Sequence, residues 1–162
     1  MQNLLKYQII HCTATPEGRV VTPEDIRRMH LSPVEKGGRG WKQVGYSDMV
    51  LLDGKIENLV KYDDNEYVEP WEITNGVAGI NNCSCHIVYV GGCDAGMKPK
   101  DTRTHAQKLT LERYIHGIIL MHPNILIAGH NQFDNKKACP SFNVPQWLQQ
   151  IDIPEKNIYK IP

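Results

Sequence analysis

The chain has 162 residues, of which 41 % are hydrophobic. This length provides one hydrophobic core and is short for two, so we predict a single domain over residues 1–162. Eighteen basic residues balance eighteen acidic ones. This balance argues against nucleic acid and an anionic membrane surface as partners, so a partner is expected to be recognised by a local site.

The N-terminal segment does not look like a secretory signal peptide. Residues 1–14 lack a sustained hydrophobic region with a cleavage site, and no apolar stretch approaches the roughly 18 residues of a membrane span. We therefore expect synthesis in the cytoplasm. Five cysteines are an odd number and too sparse for a disulfide framework, so a conspicuous cysteine points to metal binding or catalysis.

A strand and a helix are predicted at the start of the chain. Residues 6–12, KYQIIHC, are rich in strand formers and are followed by a polar loop. A helix from residue 23 to about 31 is predicted because Thr22 suits the N-cap, Pro23 the first helical position and Asp25 the third. The polar loop between them directly follows the strand.

A hairpin, a long loop and a buried strand follow. Residues 46–60 predict a hairpin that turns at Asp53 and Gly54. Residues 61–82 form a long irregular stretch, which is typical of a functional or mobile loop. Residues 84–92, SCHIVYVGG, then predict a strand broken by two glycines.

The second half of the chain alternates helix and strand. Residues 102–123 show apolar positions at helical spacing, with Thr104 and Gln107 in capping-box register. Residues 124–129, NILIAG, predict a short buried strand, and residues 144–151 a terminal amphipathic helix. The alternation indicates an α/β or α+β fold.

Three metal-ligating residue types follow or end predicted strands. His130 lies at the end of the strand NILIAG, Cys139 follows it after a nine-residue interval, and His11 ends the first strand. Neighbouring strands would bring these ends together. Zinc in catalytic sites prefers three such imidazole and thiolate ligands and keeps a fourth position open. This pattern predicts a catalytic zinc site.

A rival metal site is offered by Cys83, Cys85 and His86. On a strand the two cysteines face the same way and the histidine faces the opposite way, and structural zinc sites use longer spacers. We therefore disfavour this alternative. The remaining cysteines, Cys12 and Cys93, are interpreted as packing residues or free thiols, together with Cys83 and Cys85.

Four ordered segments resemble zinc-dependent N-acetylmuramoyl-L-alanine amidases of type 2. This family includes bacteriophage lysozyme-type amidases and the peptidoglycan recognition proteins, and the resemblance covers about residues 8–148. The segments are IIHCTAT (9–15), GWKQVGY (40–46), TRTHAQ (102–107) and GHNQFDNKKACPSF (129–142).

The resemblance implies a set of functional residues. His11, His130 and Cys139 would hold one catalytic Zn²⁺ ion, Tyr46 matches the catalytic tyrosine, and Lys137 matches a lysine of the phage-type enzymes. Tyr46 or Lys137 would stabilise the oxyanion or protonate the departing amine. The implied fold is one domain with a central mixed sheet flanked by helices and a zinc groove at the strand ends.

The implied activity is hydrolysis of the amide bond between N-acetylmuramic acid and L-alanine in peptidoglycan. The expected partner is peptidoglycan or its muropeptides, the expected state is a monomer, and the expected place of action is the cell wall after release. A non-catalytic peptidoglycan-binding module that uses the same groove is the alternative. In the family that the chain resembles, loss of the cysteine ligand is associated with binding without hydrolysis, so retention of Cys139 together with Tyr46 favours the enzyme. A purely structural zinc site would require a fourth protein ligand that the sequence does not offer nearby.

Two positions depart from the pattern of the resemblance. Many members carry a histidine where Ser47 and Gly76 stand in this chain. These departures bear on substrate orientation rather than on the zinc ligands.

Some side roles stay open in the sequence. Trp41, Tyr67 and Trp71 are either groove or packing aromatics. Asp134 either orients His130 or caps a turn.

Overall fold

A five-stranded sheet lies at the centre of the structure, a computed structural model that describes residues 3–161. Two short two-stranded pairs and three α-helices accompany this sheet. The strands are β1 (Asn3–Leu4), β2 (Tyr7–Cys12), β3 (Thr15–Pro16), β4 (Asp48–Val50), β5 (Ile56–Asn58), β6 (Tyr67–Val68), β7 (Ser84–Tyr89), β8 (Gly92–Cys93) and β9 (Leu126–Gly129). The helices are α1 (Pro23–Leu31), α2 (His105–Met121) and α3 (Val144–Gln150).

The central sheet is mixed, in the order β5-β4-β7-β2-β9. Strands β4, β7, β2 and β9 run parallel, and the edge strand β5 is antiparallel to β4. In the register, Tyr7 lies opposite Ser84 on one side and Leu126 on the other. Because parallel strands end at the same edge, the carboxyl ends of β2 and β9 lie side by side. The predicted α/β fold with a central mixed sheet is confirmed.

The helix starts follow the capping signals of the sequence. In α1 the Thr22 hydroxyl accepts the Asp25 amide, and the Asp25 carboxylate accepts the Thr22 amide. The corresponding pair in α2 is Thr104 and Gln107. These reciprocal bonds satisfy amides that have no partner within the helix. The predicted bounds of α1 are therefore confirmed, and α2 occupies the interior of its predicted segment.

The long predicted loop between β5 and β7 contains some regular structure. β6 pairs antiparallel with β1, and a 3₁₀ turn covers Asn81–Cys83. The buried carboxylate of Glu72 accepts the amides of Asp63 and Glu69 at 2.8 and 2.9 Å. This carboxylate ties two parts of the loop together and supplies backbone hydrogen bonds that no sheet provides.

The two faces of the sheet pack against different elements. Side chains alternate along a strand, so Ile10 and Cys12 of β2 join the core cluster that includes Leu111 and Ile115 of α2. Ile9 belongs to a cluster on the other face. His11, two residues after Ile9, therefore points to the face opposite α2.

Within residues 3–161, no helix combines the length and the apolar content that crossing a lipid bilayer requires.

Two leucines of α2 test this packing. Leu111 is fully buried, whereas Leu109 is 39 % exposed on the same helix. We expect Leu111→Ala to lower the free energy of unfolding by about 2–5 kcal/mol, because it leaves a cavity in the core. Leu109→Ala is the matched control and should lower it by less than about 1 kcal/mol. Urea unfolding followed by circular dichroism measures both, and equal losses would contradict the packing described.

Candidate metal centre

His11, His130 and Cys139 converge at the carboxyl ends of β2 and β9. His11 is the penultimate residue of β2, His130 directly follows β9, and Cys139 lies in the loop after it. One potential ligand atom from each residue lies within 4.8 Å of the others, so the group could hold a metal ion. The predicted convergence of the three residues is confirmed.

The loop that carries Cys139 is bonded to the sheet at several points. The Asn131 amide donates to the carbonyl of Cys139 at 2.8 Å. The hydroxyl of Tyr89, a fully buried residue of β7, donates to the carbonyl of Pro140 at 2.7 Å. The Cys12 amide donates to the sulfur of Cys139 at 3.2 Å. These bonds hold the sulfur above the end of β2, and the last one favours a thiolate.

A buried arginine, Arg103, also supports the loop that carries Cys139. The guanidinium of Arg103 lies 3.3 Å from the centre of the Phe142 ring and 5.0 Å from that of Trp147. Asp101 accepts two hydrogen bonds from it at 2.9 Å. This combination of stacking and ion pairing links the segment before α2 to the chain just after Cys139.

The spacing of the donor atoms fits zinc. The Nδ1 atom of His11 lies 3.7 Å from the sulfur of Cys139. Tetrahedral zinc with a Zn–N distance of about 2.1 Å and a Zn–S distance of about 2.3 Å places nitrogen and sulfur about 3.6 Å apart. The ring centres of His11 and His130 are 4.8 Å apart. The donor set of two imidazoles and one thiol also matches the ligands that zinc prefers.

Burial sets the protonation of these donors. It lowers the pKa of His11 well below its usual value, with further lowering by His86 and His130. Burial and the charge of Lys137 lower the pKa of His130. Both rings are therefore neutral at pH 7 and offer a lone pair. Contact with the Cys12 sulfur, together with burial, raises the pKa of the Cys139 thiol, so metal binding must displace its proton.

Tyr46 lies beside the metal-ligating group. Its ring centre is 5.1 Å from that of His11 and 5.3 Å from that of the buried His30. The Nδ1 atom of His30 accepts the amide of Gly45 at 3.1 Å, which holds the loop that presents the tyrosine. Burial raises the pKa of Tyr46. The hydroxyl therefore keeps its proton at neutral pH and is available as a donor.

Lys137 is exposed on the loop between His130 and Cys139. Its charge adds to the effect of burial in lowering the pKa of His130 and opposes the rise in the pKa of Cys139. Asp134 accepts the amide of Lys136 at 3.0 Å. Of the two roles considered for Asp134, the structure thus contains the turn-capping bond.

His86 is a site residue whose contact with His11 the sequence did not predict, since the sequence placed it only in the disfavoured cysteine–histidine group. Its Nδ1 atom lies 3.0 Å from Nε2 of His11, and its side chain is fully buried. In the parallel register His86 is opposite Ile9, which places it on the same face as His11. The signal was a polar residue within an otherwise apolar strand. It had meaning only once β7 was known to be the neighbour of β2.

The disfavoured cysteine–histidine cluster does not form. The sulfur of Cys85 lies 2.7 Å from the side-chain oxygen of Gln8, while His86 lies on the opposite face. Cys83 belongs to the 3₁₀ turn before the strand. Among residues 3–161, the group with metal-ligating geometry is the one formed by His11 and its two partners.

The two departures from the resemblance have structural explanations. A Cβ atom on Gly76 would lie 2.2 Å from Nδ1 of His86, so the histidine ring occupies the space that a side chain would need. Ser47 is fully buried, and its hydroxyl donates to the carbonyl of His86 at 2.7 Å. Both small residues accommodate His86.

The aromatic residues considered for a groove have different surroundings. Trp41 packs on His30 with ring centres 4.8 Å apart, and Arg39 lies 5.0 Å from its centre. Trp71 is 62 % exposed and Tyr67 is 37 % exposed. The groove role of these residues stays a prediction.

A cavity of about 520 Å³ adjoins the loop that carries Cys139. Its lining includes Asn131, the neighbour of His130, and Ala138, the neighbour of Cys139, together with Ser141 and Asn143. The metal-ligating residues themselves are not part of this lining, so the cavity flanks the loop rather than the metal-ligating group.

The fold, the donor set and the sequence together define the class of this protein. The sequence profile described as N-acetylmuramoyl-L-alanine amidase matches residues 1–142, and the chain belongs to that family. Among its curated relatives is an endolysin of Enterobacteria phage K11. It is 29 % identical over 140 residues, which cover 86 % of this chain and 83 % of that protein.

Solved structures share the fold. The Ph2119 endolysin from the Thermus scotoductus MAT2119 bacteriophage is 23 % identical, with a TM-score of 0.66 over 97 % of this chain and 87 % of that one. Peptidoglycan recognition protein-LE in complex with tracheal cytotoxin, a monomeric diaminopimelic acid-type peptidoglycan, is 20 % identical. Its TM-score is 0.64 over 99 % of this chain and 87 % of that one.

The buried histidines predict a pH dependence of stability. Burial lowers the pKa of His30 to about 4 and that of His86 to about 3. An unfolded chain therefore binds more protons than the folded one below about pH 6.5, and stability is lost as the pH falls through this range. We expect the free energy of unfolding of the metal-free protein to drop by more than about 1 kcal/mol between about pH 7.5 and pH 5.

Urea unfolding at the two pH values measures this drop. His30→Gln should reduce it, because one of the groups that resist protonation is gone. His105→Gln, at an exposed position at the start of α2, is the matched control and should leave it unchanged. A drop that is the same in all three proteins would argue against the role of His30.

Proposed function

We propose that the protein is a zinc-dependent amidase that hydrolyses the bond between N-acetylmuramic acid and L-alanine in peptidoglycan. The observation that carries the proposal is the group of two histidines and one cysteine, with a nitrogen–sulfur distance of 3.7 Å, in a member of the N-acetylmuramoyl-L-alanine amidase family. His11, His130 and Cys139 are the proposed ligands of one zinc ion.

A bound zinc ion would polarise the amide carbonyl and lower the pKa of a coordinated water. The chain contributes three ligands that tetrahedral zinc would complement with one open position. Two neutral imidazoles and one thiolate leave a net positive charge at the centre. These features suit hydrolysis of a neutral amide, which has a poor leaving group.

Tyr46 and Lys137 are the proposed catalytic side chains. The phenol of Tyr46 keeps its proton because burial raises its pKa, and its ring lies 5.1 Å from that of His11. In this proposal it donates a hydrogen bond to the developing oxyanion. Lys137 lies two residues before Cys139, and its ammonium group is the proposed proton donor to the departing amine.

Muropeptides of the cell wall are the proposed substrates, bound by a monomer. The cavity lined by Asn131 and Ala138 lies against the loop that carries Cys139, and in this proposal it receives part of the peptide or sugar. Endolysins among the relatives and a recognition protein in complex with a peptidoglycan fragment among the structural neighbours support this choice. The proposed place of action is the cell wall, after release from the cytoplasm.

The second candidate function is peptidoglycan binding without hydrolysis. The likeness to peptidoglycan recognition protein-LE supports it, because that protein is seen in complex with tracheal cytotoxin. The presence of a cysteine with a sulfur 3.7 Å from a histidine nitrogen favours the enzyme.

Digestion of purified muropeptides tests the proposal. We expect zinc-loaded protein to release peptides with a free N-terminal L-alanine, detected by mass spectrometry, and chelator-treated protein to release none. Cys139→Ser should weaken zinc binding and abolish cleavage, because a hydroxyl is a poor zinc ligand. Cys83→Ser is the matched control, since this half-buried cysteine lies outside the metal-ligating group, and it should retain both properties.

The same digestion separates the two candidate functions. Protein that holds one zinc ion and binds muropeptides but cleaves none would identify the binding module. Full cleavage by Cys139→Ser would refute the ligand assignment.

Two adjacent lysines test the role of Lys137. Lys137→Ala should keep zinc affinity and lower kcat by about 100-fold or more, because a proton donor is lost. Lys136→Ala removes a neighbouring exposed charge and is the matched control, which should keep kcat within about twofold of the wild type. Steady-state kinetics on a soluble muropeptide measures both. Equal effects of the two substitutions would mean that only the net charge of the loop matters.

A further inference from the structure

We propose that His86 is a positioning residue that holds His11 in the tautomer with its lone pair on Nδ1, the atom that faces Cys139. This inference rests on the proposed metal site. It assigns a role to a residue that lies outside the metal-ligating group and 75 positions from His11 in sequence.

A series of hydrogen bonds that leads to His11 begins at a backbone carbonyl. The hydroxyl of Ser84 lies 2.6 Å from the carbonyl oxygen of Ile80. A carbonyl oxygen only accepts, so the single hydroxyl proton of Ser84 must point to it. The Ser84 oxygen then has only lone pairs to offer to its other neighbour, Nε2 of His86, at 3.0 Å.

The direction of the hydrogen bond between Ser84 and His86 fixes which nitrogen of the His86 ring carries the proton. The Nε2 atom of His86 must carry the proton that Ser84 accepts. A neutral imidazole carries one proton, so Nδ1 of His86 is an acceptor. It lies 3.0 Å from Nε2 of His11. His11 must therefore donate from Nε2, and its own Nδ1 is left with a free lone pair.

If the hydrogen bonds ran in the opposite direction, two acceptor atoms would face each other. If His11 carried its proton on Nδ1, His86 would have to donate from Nδ1 and would present a bare Nε2 to Ser84. The Ser84 proton is already engaged by Ile80 at 2.6 Å. Two acceptors would then face each other in a fully buried position, since Ser84 and His86 are both 0 % exposed. Burial makes such an unsatisfied pair costly.

The consequence for the metal site is geometric. The Nδ1 atom of His11 is 3.7 Å from the sulfur of Cys139, so the free lone pair is on the side where the other ligands converge. Without these hydrogen bonds, the neutral His11 ring of the metal-free protein would populate both tautomers. Only one of the two has an Nδ1 lone pair ready to bind a metal. The series of hydrogen bonds from the Ile80 carbonyl through Ser84 and His86 selects that tautomer before a metal binds.

The surroundings hold the His86 ring in place. The parallel register of β2 and β7 sets His86 diagonal to His11 on one face of the sheet. Gly76 lies against the ring, where a Cβ atom would come within 2.5 Å of three ring atoms. This close packing restricts rotation of the ring and favours the orientation in which both nitrogens make their hydrogen bonds.

Nitrogen NMR of the metal-free, full-length protein tests the inference directly. Long-range proton–nitrogen correlation spectra distinguish the two tautomers of each histidine. We expect His11 to be in the Nε2-protonated form in the wild type. His86→Leu, which removes the acceptor, should yield a mixture. His86→Asn places an amide oxygen near the former Nδ1 position and should restore the single tautomer.

Zinc affinity gives a second readout that does not depend on activity. Competition with a chromophoric chelator should show binding by His86→Leu that is about 10- to 100-fold weaker than that of the wild type. His86→Asn should recover most of the loss. Ser84→Ala should weaken zinc binding less than His86→Leu, because it removes only the hydrogen bond to Nε2 of His86 and leaves the contact between His86 and His11. Thermal unfolding of each variant separates this effect from misfolding.

The outcomes are decisive in both directions. A single Nε2-protonated His11 and unchanged zinc affinity in a folded His86→Leu protein would overturn the inference. If that variant does not fold, His86→Asn and Ser84→Ala carry the test, and a Ser84→Ala protein with an unaltered His86 tautomer and unaltered affinity would also overturn it. Wild-type protein that binds no zinc would refute the proposed function, while the metal-free spectra would still decide the tautomer.

Discussion

The parallel pairing of β2 with both β7 and β9 is the constraint on which the rest of the structure depends. It brings the carboxyl ends of two strands to one edge, where His11 and His130 meet, and it places His86 beside His11 on the face opposite α2. Parallel strands need long crossover connections. These connections are the segments that contain α1, the hairpin and α2, so the helices that cover the sheet also allow the strand order that forms the site.

The site combines burial with donors whose protonation suits a cation. Neutral histidines are the favoured form where water is excluded, and burial is the main reason for the lowered pKa of His11. A buried imidazole still needs a partner for its proton, and His86 with Ser84 supplies it through a chain that ends on a backbone carbonyl. Burial and these hydrogen bonds therefore keep His11 neutral and also account for the fixed orientation of its ring.

The loop between His130 and Pro140 is held by contacts that come from distant parts of the chain. Tyr89 bonds to the carbonyl of Pro140, and Arg103 stacks on Phe142. The strand β7 and the segment before α2 thus both support the position of Cys139. This arrangement explains why a polar, lysine-containing loop is able to present a cysteine sulfur at a defined distance from His11.

The amino-acid sequence by itself determined the features that depend on near neighbours. Thr22 with Asp25 and Thr104 with Gln107 are three residues apart, so the hydrogen bonds that start the helices are visible in the local pattern. Only the tertiary structure decided the contact of His86 with His11, the need for Gly76 and the stack of Arg103 on Phe142. Those contacts join residues that are far apart in sequence, or depend on which strands are neighbours and in what register. Strand order is set by the packing of the whole sheet and its helices, so no local pattern encodes it.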